Sequence, residues 1–559
     1  MKENEKLTLD DFKYVLLKLN RATIQQYVIN LARRYEHLRG VSLSNVDKVK
    51  IGGSILDLFL MHEYLTKENT TDGTKSVTYL TPVLSDEDEL FEQLKKEHTV
   101  LTSKPVFDCN TFTIGKRLYT FMLKESKVEL SASNNAVVSK LSSIPYELNL
   151  DYISKHRKPK SGVVDDNFTQ STKLFRMAAR QNKDEDIYFF WQYDNRGRIY
   201  PKSWTVNPHG DEWQKVQIQF KNKEVVKEEN LKWIERDIAN HYGLDKESYE
   251  TKDEWFRLNR DKILDLKPSI LDKADKKLLL QRSVKTYKEA LDYKPIGLPV
   301  ALDATSSSFQ LMALLSRSKK IAEWTNLTST TRDDVYIRLA EAYLKLKDQE
   351  ITKDRLLKGR NFFKKPIMIY FYNGMHKIKE AIPNQAQRQE VLDLVHEMLD
   401  DCVAVQDLIN ATYEEARYLD YMEWYMPDGM KVSVPQIDHE VIKHKGKRFI
   451  ATFRLDKVGP NYENNHRSLA PNLIHSIDAY VNRQMVLKSS GDILPIHDSF
   501  QIHPNYCDEA INNYRDILNS ISSDTQFLQR MLSNIAGKSI CDPFKDKEPI
   551  VVTSDYCIC

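Results

Sequence analysis

The chain has 559 residues, too many for one compact core, so several domains are expected. Hydrophobic residues make up 41% and charged residues 29%, which excludes a disordered chain and suits a globular one. Lys plus Arg number 82 against 80 Asp plus Glu, so overall charge selects no partner.

The opening MKENEKLTLDDFKY lacks an apolar signal core and carries too much acid for a transit peptide. That reads as a cytosolic, reducing setting. Four cysteines, Cys109, Cys402, Cys507 and Cys541, are scattered, and Cys557 and Cys559 form an isolated C-x-C. Ordinary thiols are expected, not a zinc site. Residues 9–38 repeat apolar positions at helical spacing and predict one or two amphipathic helices. IGGSILDLFLMHEYL (51–65) predicts another helix, opened by small residues. DIYFFWQYDNRGRIYP (186–201) is strand-like and ends at Pro201, and helices follow to about residue 295. GLPVALDATSSSFQLMALLSRS (297–318) predicts an apolar strand, a polar turn and a helix. Residues 330–425 are mostly helical in pattern. MEWYMPDGMKVSVPQ (422–436) places a Pro-Asp-Gly turn between β-prone runs, and ILPIHDSFQIHP (493–504) predicts a tight hairpin with His497, Asp498 and Ser499 at its tip. The fold class is α-rich α+β with a few short antiparallel strands. No apolar run approaches the roughly 20 residues of a membrane span.

Two carboxylates stand at strand ends or bends: Asp303 after LPVAL, and Asp498 at the hairpin tip. Brought together, they repel unless cations lie between them. A pair of Mg²⁺ ions roughly 3.5–4 Å apart answers that repulsion in phosphoryl transfer. Singly, each also fits an aspartate that caps a turn or opens a helix. In KGRNFFKKPIMIYFYNGMHKIKEAI (358–382), helical geometry puts Arg360, Lys364 and Tyr372 within roughly 120° of arc. Two cations suit a triphosphate, and a phenol can stack on a sugar or base. A surface face with an interfacial tyrosine is the plainer alternative. DNRGR sets Arg196 and Arg198 around a glycine, a turn suited to phosphates or to ordinary surface salt bridges. The basic clusters at 155–160, 354–365 and 443–448 are singly solvated faces and jointly a channel for a polyanion.

In chain order, DNRGR, LDATSSSFQ, R-x3-K-x7-Y, APNLIHSIDA and HDSF resemble the single-subunit phage-type and mitochondrial DNA-directed RNA polymerases. VNPHGDEWQK, WYMPDG, the ending SDYCIC and the segment IGGSILDLFL are similar to further family segments, so the resemblance runs from about residue 50 onward. It implies a right-hand polymerase fold of palm, fingers and thumb. A reduced N-terminal helical domain is expected over 1–112, a thumb over 113–185, and the first part of the palm over 186–330. Fingers are expected over 331–474, and the rest of the palm with a C-terminal foot over 475–559.

The implied function is template-directed RNA synthesis from rNTPs on DNA, with two Mg²⁺ ions. Asp303 and Asp498 match the metal-binding carboxylates, with the Ala304 backbone beside the first. Arg360 and Lys364 match the cations that hold the triphosphate, and Lys364 the proton donor to pyrophosphate. Tyr372 matches the tyrosine that selects ribose, and His475 its partner near the 2′-hydroxyl. Arg196 and Arg198 match contacts to the template–product hybrid. His497 and Ser499 are expected to position the hairpin. The implied partners are a DNA template, an RNA hybrid, rNTPs and an accessory promoter-recognition or single-strand-binding protein, with no membrane. A phage gene product, in a bacterial cytoplasm or packaged in a virion, is the expected setting.

The pattern departs from the family in places. Asp-Gly is Asp303-Ala304, and a later glycine is Ser308. Pro366 falls inside the expected fingers helix, which should kink or start there. Tyr-Gly is Tyr372-Asn373-Gly374, and residues 454–468 are shorter than the family's promoter-reading hairpin. The chain is short for the family, mostly on its N-terminal side, so pre-opened DNA is expected to serve better than closed duplex. Two rivals stand beside this reading. One is a DNA polymerase or primase of the same hand, against which DATSSS and HDS speak. The other is a non-catalytic nucleic-acid-binding relative, which Ala304, Pro366 and the shortened loop favour and the retained carboxylates and cations oppose.

Overall fold

The computed structural model describes Leu7, Asp11, Phe12, Val15 and residues 22–72, 75–82, 106–108, 111–114, 117–120, 130–149, 186–201, 206–445, 447, 449–459 and 466–559. The basic cluster at 155–160, Cys109 and most of the expected thumb lie outside these residues. The chain forms two compact units. The first comprises Met1–Thr99, Arg157–Gln181 and Ile437–Gly459, and the second the remainder.

In the first unit, Thr23 and Gln26 form a capping box that starts the helix Ile24–Arg39. Ser44 caps a second helix, Asn45–Met61. The small residues of IGGS therefore sit in mid-helix, not at its opening as the sequence suggests. Packing gives the reason. A Cβ on Gly52 would lie 1.9 Å from the Val28 carbonyl oxygen, so only glycine lets the two backbones approach this closely. The hairpin of Ile437–Lys445 with Ile450–Val458 returns Phe449 and Phe453 to a core shared with Tyr27, Leu31, Leu56 and Phe59.

The second unit is helix-rich with small antiparallel sheets, in keeping with the expected fold class. One of its three-stranded sheets has the order Val300–Asp303, Ser499–Ile502, Ile493–Ile496. Val300, Leu302, Phe500, Ile502, Ile493 and Leu494 are buried, which is why β-prone apolar runs pair here. Register sets Asp303 opposite Ser499 and Ile496 opposite Ser499 across the hairpin. Pro495 is confined to the edge strand, where its missing N–H breaks no ladder between two neighbours. The far edge, beside Asp303, is covered by the 557–559 segment: the Cys559 N–H donates to the Asp303 carbonyl at 2.9 Å.

Residues 335–416 hold the helices Val335–Leu346, Lys353–Phe371, Met375–Ala381, Gln385–Met398 and Asp400–Ala416. Of the two expectations at Pro366, a helix start there needs correction. Thr352 caps the helix, and it runs through Pro366 with Phe363, Pro366 and Ile367 buried. It stops instead at Tyr372. Asn373 follows in the left-handed region at φ 54°, and the Gly374 N–H returns to the Ile369 carbonyl at 2.8 Å. Asparagine tolerates that conformation, so it fills the place where glycine usually ends a helix. Among the described residues no helix is long and apolar enough to cross a membrane.

Candidate active site

Asp303 and Asp498, 195 positions apart, line one cavity of about 320 Å³. Its walls also carry Arg198, Ala304, Arg360, Lys364, Tyr372 and His475. Every site residue expected from sequence except Arg196 thus borders one space, and Arg196 contacts a wall residue.

The hairpin tip is a two-residue turn, His497-Asp498, between Ile496 and Ser499. His497 has φ 58° and Asp498 does not share the positive sign, as in a type II′ turn. Glycine is the usual residue at that first position, so histidine there is strained. Several contacts hold it. Asn482 Nδ2 donates to the His497 carbonyl at 2.7 Å, and the Ala304 N–H to the Asp498 carbonyl at 3.0 Å. The imidazole packs against the rings of Tyr200 and His209 at 5.2 and 5.7 Å. The Asp498 side chain accepts one bond, from Ser307 Oγ at 3.0 Å. The Asp303 carboxylate is exposed and has no hydrogen-bond or ion-pair partner among the described residues.

The cations differ in freedom. Arg360 is buried, and its Nε donates to Asp334 Oδ2 at 2.6 Å. Asp334 Oδ1 meanwhile caps the helix Val335–Leu346. Lys364, one turn on, is exposed and has no carboxylate partner among the described residues. It borders the cavity and a neighbouring one of about 690 Å³ that also meets Lys365, His376, Lys377 and Arg467.

The Asp194–Arg198 turn supports the opposite wall. Arg196 binds Asp194 through Nε and NH2 and reaches His475 Nδ1 at 3.2 Å. Arg198 NH2 donates to Asp478 Oδ2 at 2.8 Å. Gly197 at φ 79° lies against Arg483, whose NH1 would stand 2.6 Å from an added Cβ and donates to the Gly197 carbonyl. Asp478 escaped the sequence reading, although it stands three residues after His475 and so shares its helix face. Burial pushes its carboxyl up to about 6, with Asp498 adding to the rise and Arg198 opposing it.

Two histidines are held neutral. Burial, then Arg198 and Arg196, pushes His475 down to about 3. Burial also pushes His209 down to about 4, aided by His497 and Lys215 and opposed by its bond to the Pro495 carbonyl. In the unfolded chain each takes up a proton near pH 6.5, whereas the folded chain does not until much lower. The unfolded state therefore binds more protons, and stability falls as pH drops below about 6.5. Each histidine contributes about 2 kcal/mol of that loss by pH 5. Urea unfolding at pH 7.5 and 5 should show it, with a smaller loss in His209→Gln and His475→Asn. Equal losses in wild type and both variants refute the assignment.

A family model described as DNA-dependent RNA polymerase matches residues 224–403 and 374–540, together more than half of the chain. The chain belongs to that family. A probable DNA-directed RNA polymerase of Gelasinospora is 22% identical over 473 residues, covering 72% of this chain and 57% of the relative. The DNA-directed RNA polymerase of Pseudomonas phage phiKMV is 23% identical over 408 residues, 61% of this chain and 48% of the relative. The mitochondrial DNA-directed RNA polymerase 1B of Nicotiana tabacum is 24% identical over 379 residues, 58% and 38% respectively. The chain spans about half the length of the curated relatives it matches. The kinship to phage and mitochondrial RNA polymerases expected from the motifs is thus borne out. All the motif residues from LDATSSSFQ to HDSF fall inside the matched RNA polymerase region.

Proposed function

We propose that the chain synthesises RNA from rNTPs on a DNA template by two-metal nucleotidyl transfer. The convergence of Asp303 and Asp498 on one cavity beneath Lys364, Tyr372 and His475 carries this reading. The donor set fits Mg²⁺, which takes hard oxygen ligands and is commonly held by one or two carboxylates plus substrate phosphates. Asp303, with no side-chain partner among the described residues, Asp498 and the Ala304 carbonyl would hold the ions. Bound ions would activate the primer 3′-hydroxyl and neutralise the leaving pyrophosphate.

The protein's own groups position and neutralise the substrate. Lys364 is free to meet the triphosphate and to give a proton to the leaving group. Arg360 adds charge from a fixed place beside Asp334. Tyr372 and His475 face the sugar. Arg196 and Arg198, both partly buried, hold that wall beneath the hybrid. The basic neighbouring cavity suits template phosphates. On this reading the sheet with its two aspartates is the palm, the Lys353–Phe371 helix belongs to the fingers, and residues 113–185 are the thumb. Transcription of phage genes in a bacterial host belongs to the same proposal, as does an accessory factor for promoter recognition.

The test is extension of an RNA primer on a preformed RNA–DNA scaffold with rNTPs and Mg²⁺. Extension by wild type that is lost on chelation and in Asp498→Asn supports the reading. The same background from both proteins favours a non-catalytic nucleic-acid-binding role.

A further inference from the structure

The hydrogen bonds leading to Tyr372 have a direction that chemistry sets from the arginine end. Arginine only donates, so at 3.2 Å from Arg196 NH1 the His475 Nδ1 must accept. A neutral imidazole then carries its proton on Nε2. That nitrogen lies 3.4 Å from the Tyr372 hydroxyl, which therefore accepts from it. Ser308 Oγ, at 3.3 Å from the Tyr372 hydroxyl, is then placed to accept the phenol's own proton. Both contacts are at the long end of the hydrogen-bond range, as in a site that tightens around substrate. The run is anchored at its start, because Asp194 holds the Arg196 guanidinium through two nitrogens.

Resting on the polymerase reading, we propose that Ser308 is a positioning residue for sugar selection, acting through Tyr372. By taking the phenol proton, it turns a bare lone pair of the Tyr372 oxygen toward the cavity. A ribose 2′-hydroxyl can donate to that lone pair. A 2′-deoxyribose offers only C–H there. Ser308 stands in the first turn of the helix Ser307–Ser316, directly after Ser307, which binds Asp498. One turn of helix therefore serves both the second carboxylate and the tyrosine. Without Ser308 the phenol hydroxyl rotates freely, and its orientation must be fixed anew at each nucleotide binding, which weakens discrimination.

The experiment is competition between GTP and dGTP on the RNA–DNA scaffold, read as the ratio of kcat/KM values. Wild type, Ser308→Ala, Ser308→Thr, Tyr372→Phe and the Ser308→Ala/Tyr372→Phe double variant are compared. Ser308→Ala should lower the ribose preference about 3–10-fold, the worth of one ordinary hydrogen bond. Ser308→Thr, which keeps the hydroxyl, should restore it. In the Tyr372→Phe background, Ser308→Ala should have no further effect. An unchanged ratio in Ser308→Ala overturns the inference and leaves the polymerase reading standing. An equal drop in the Tyr372→Phe background also overturns it, because Ser308 then acts by shape. Absence of extension by wild type overturns both.

Discussion

Asp303→Asn should lower nucleotide addition by about 10³-fold or more, since under the proposed two-metal mechanism several kcal/mol of transition-state charge stabilisation would rest on ions held by Asp303. The fold should not suffer. The Asp303 carboxylate is exposed and has no partner among the described residues, so the amide breaks no protein bond. Its neighbour Asp498 lies in the same cavity, and losing one of two like charges relieves repulsion in metal-free protein. Melting in chelator should therefore be unchanged or slightly higher in the variant. Added Mg²⁺ should raise the melting temperature of wild type more than that of the variant, because a ligand stabilises only the state that binds it. A variant that extends primers at the wild-type rate removes Asp303 from the mechanism.

The second large effect is on stability. Arg483 is fully buried, with 0% of its side chain exposed, and Asp428 beside it has 2%. Arg483 donates to both oxygens of Asp428 through Nε and NH2, and through NH1 to the Gly197 carbonyl at 2.8 Å. Asp428 belongs to the Pro-Asp-Gly turn, and its carbonyl accepts from Ser131 Oγ and Asn134 Nδ2. One guanidinium thus ties the 428 turn to the Asp194–Arg198 turn that supports His475. Arg483→Ala leaves a buried carboxylate uncompensated and should cost about 3–5 kcal/mol. Arg483→Lys should not recover this, because an ammonium cannot span a carboxylate fork and a carbonyl together. Arg483→Met with Asp428→Asn should cost less than the two single changes summed, as expected for partners in one network. Urea unfolding at neutral pH of these variants, with the Arg483→Met and Asp428→Asn singles, measures the losses. A loss below about 1 kcal/mol in Arg483→Ala places the pair among ordinary surface bridges.

Local pattern carried much of this fold and site. LPVALD and ILPIHDSF are β-prone runs with carboxylates at an end and a bend, and strand pairing brings those two ends together. R-x3-K-x7-Y reads one helix face and holds because Tyr372 closes that helix. What escaped is non-local or counter to propensity. Asp478 looks like any helical aspartate until Arg198, 280 positions away, is seen to meet it. Arg360 looks as free as Lys364, since nothing in the sequence shows that Asp334 will both cap a helix and bind it. The left-handed backbone of His497 has no sequence signature, because its contacts come from Asn482, Tyr200 and His209 on other elements. Pro366 misled for the opposite reason: buried packing on both sides carries a helix through a residue whose propensity would end it.

The hairpin Ile437–Val458 completes the core of a unit whose described helices lie before residue 62, although the chain up to Gln436 and from Pro460 onward belongs to the other unit. The two units are therefore interleaved in the gene as well as in the chain. A fragment cut before residue 437 strips Phe449 and Phe453 from the helical core, and a swap of only the leading segment between relatives leaves that hairpin facing a foreign surface. Recombination that respects this architecture must carry the distant segment along with the first.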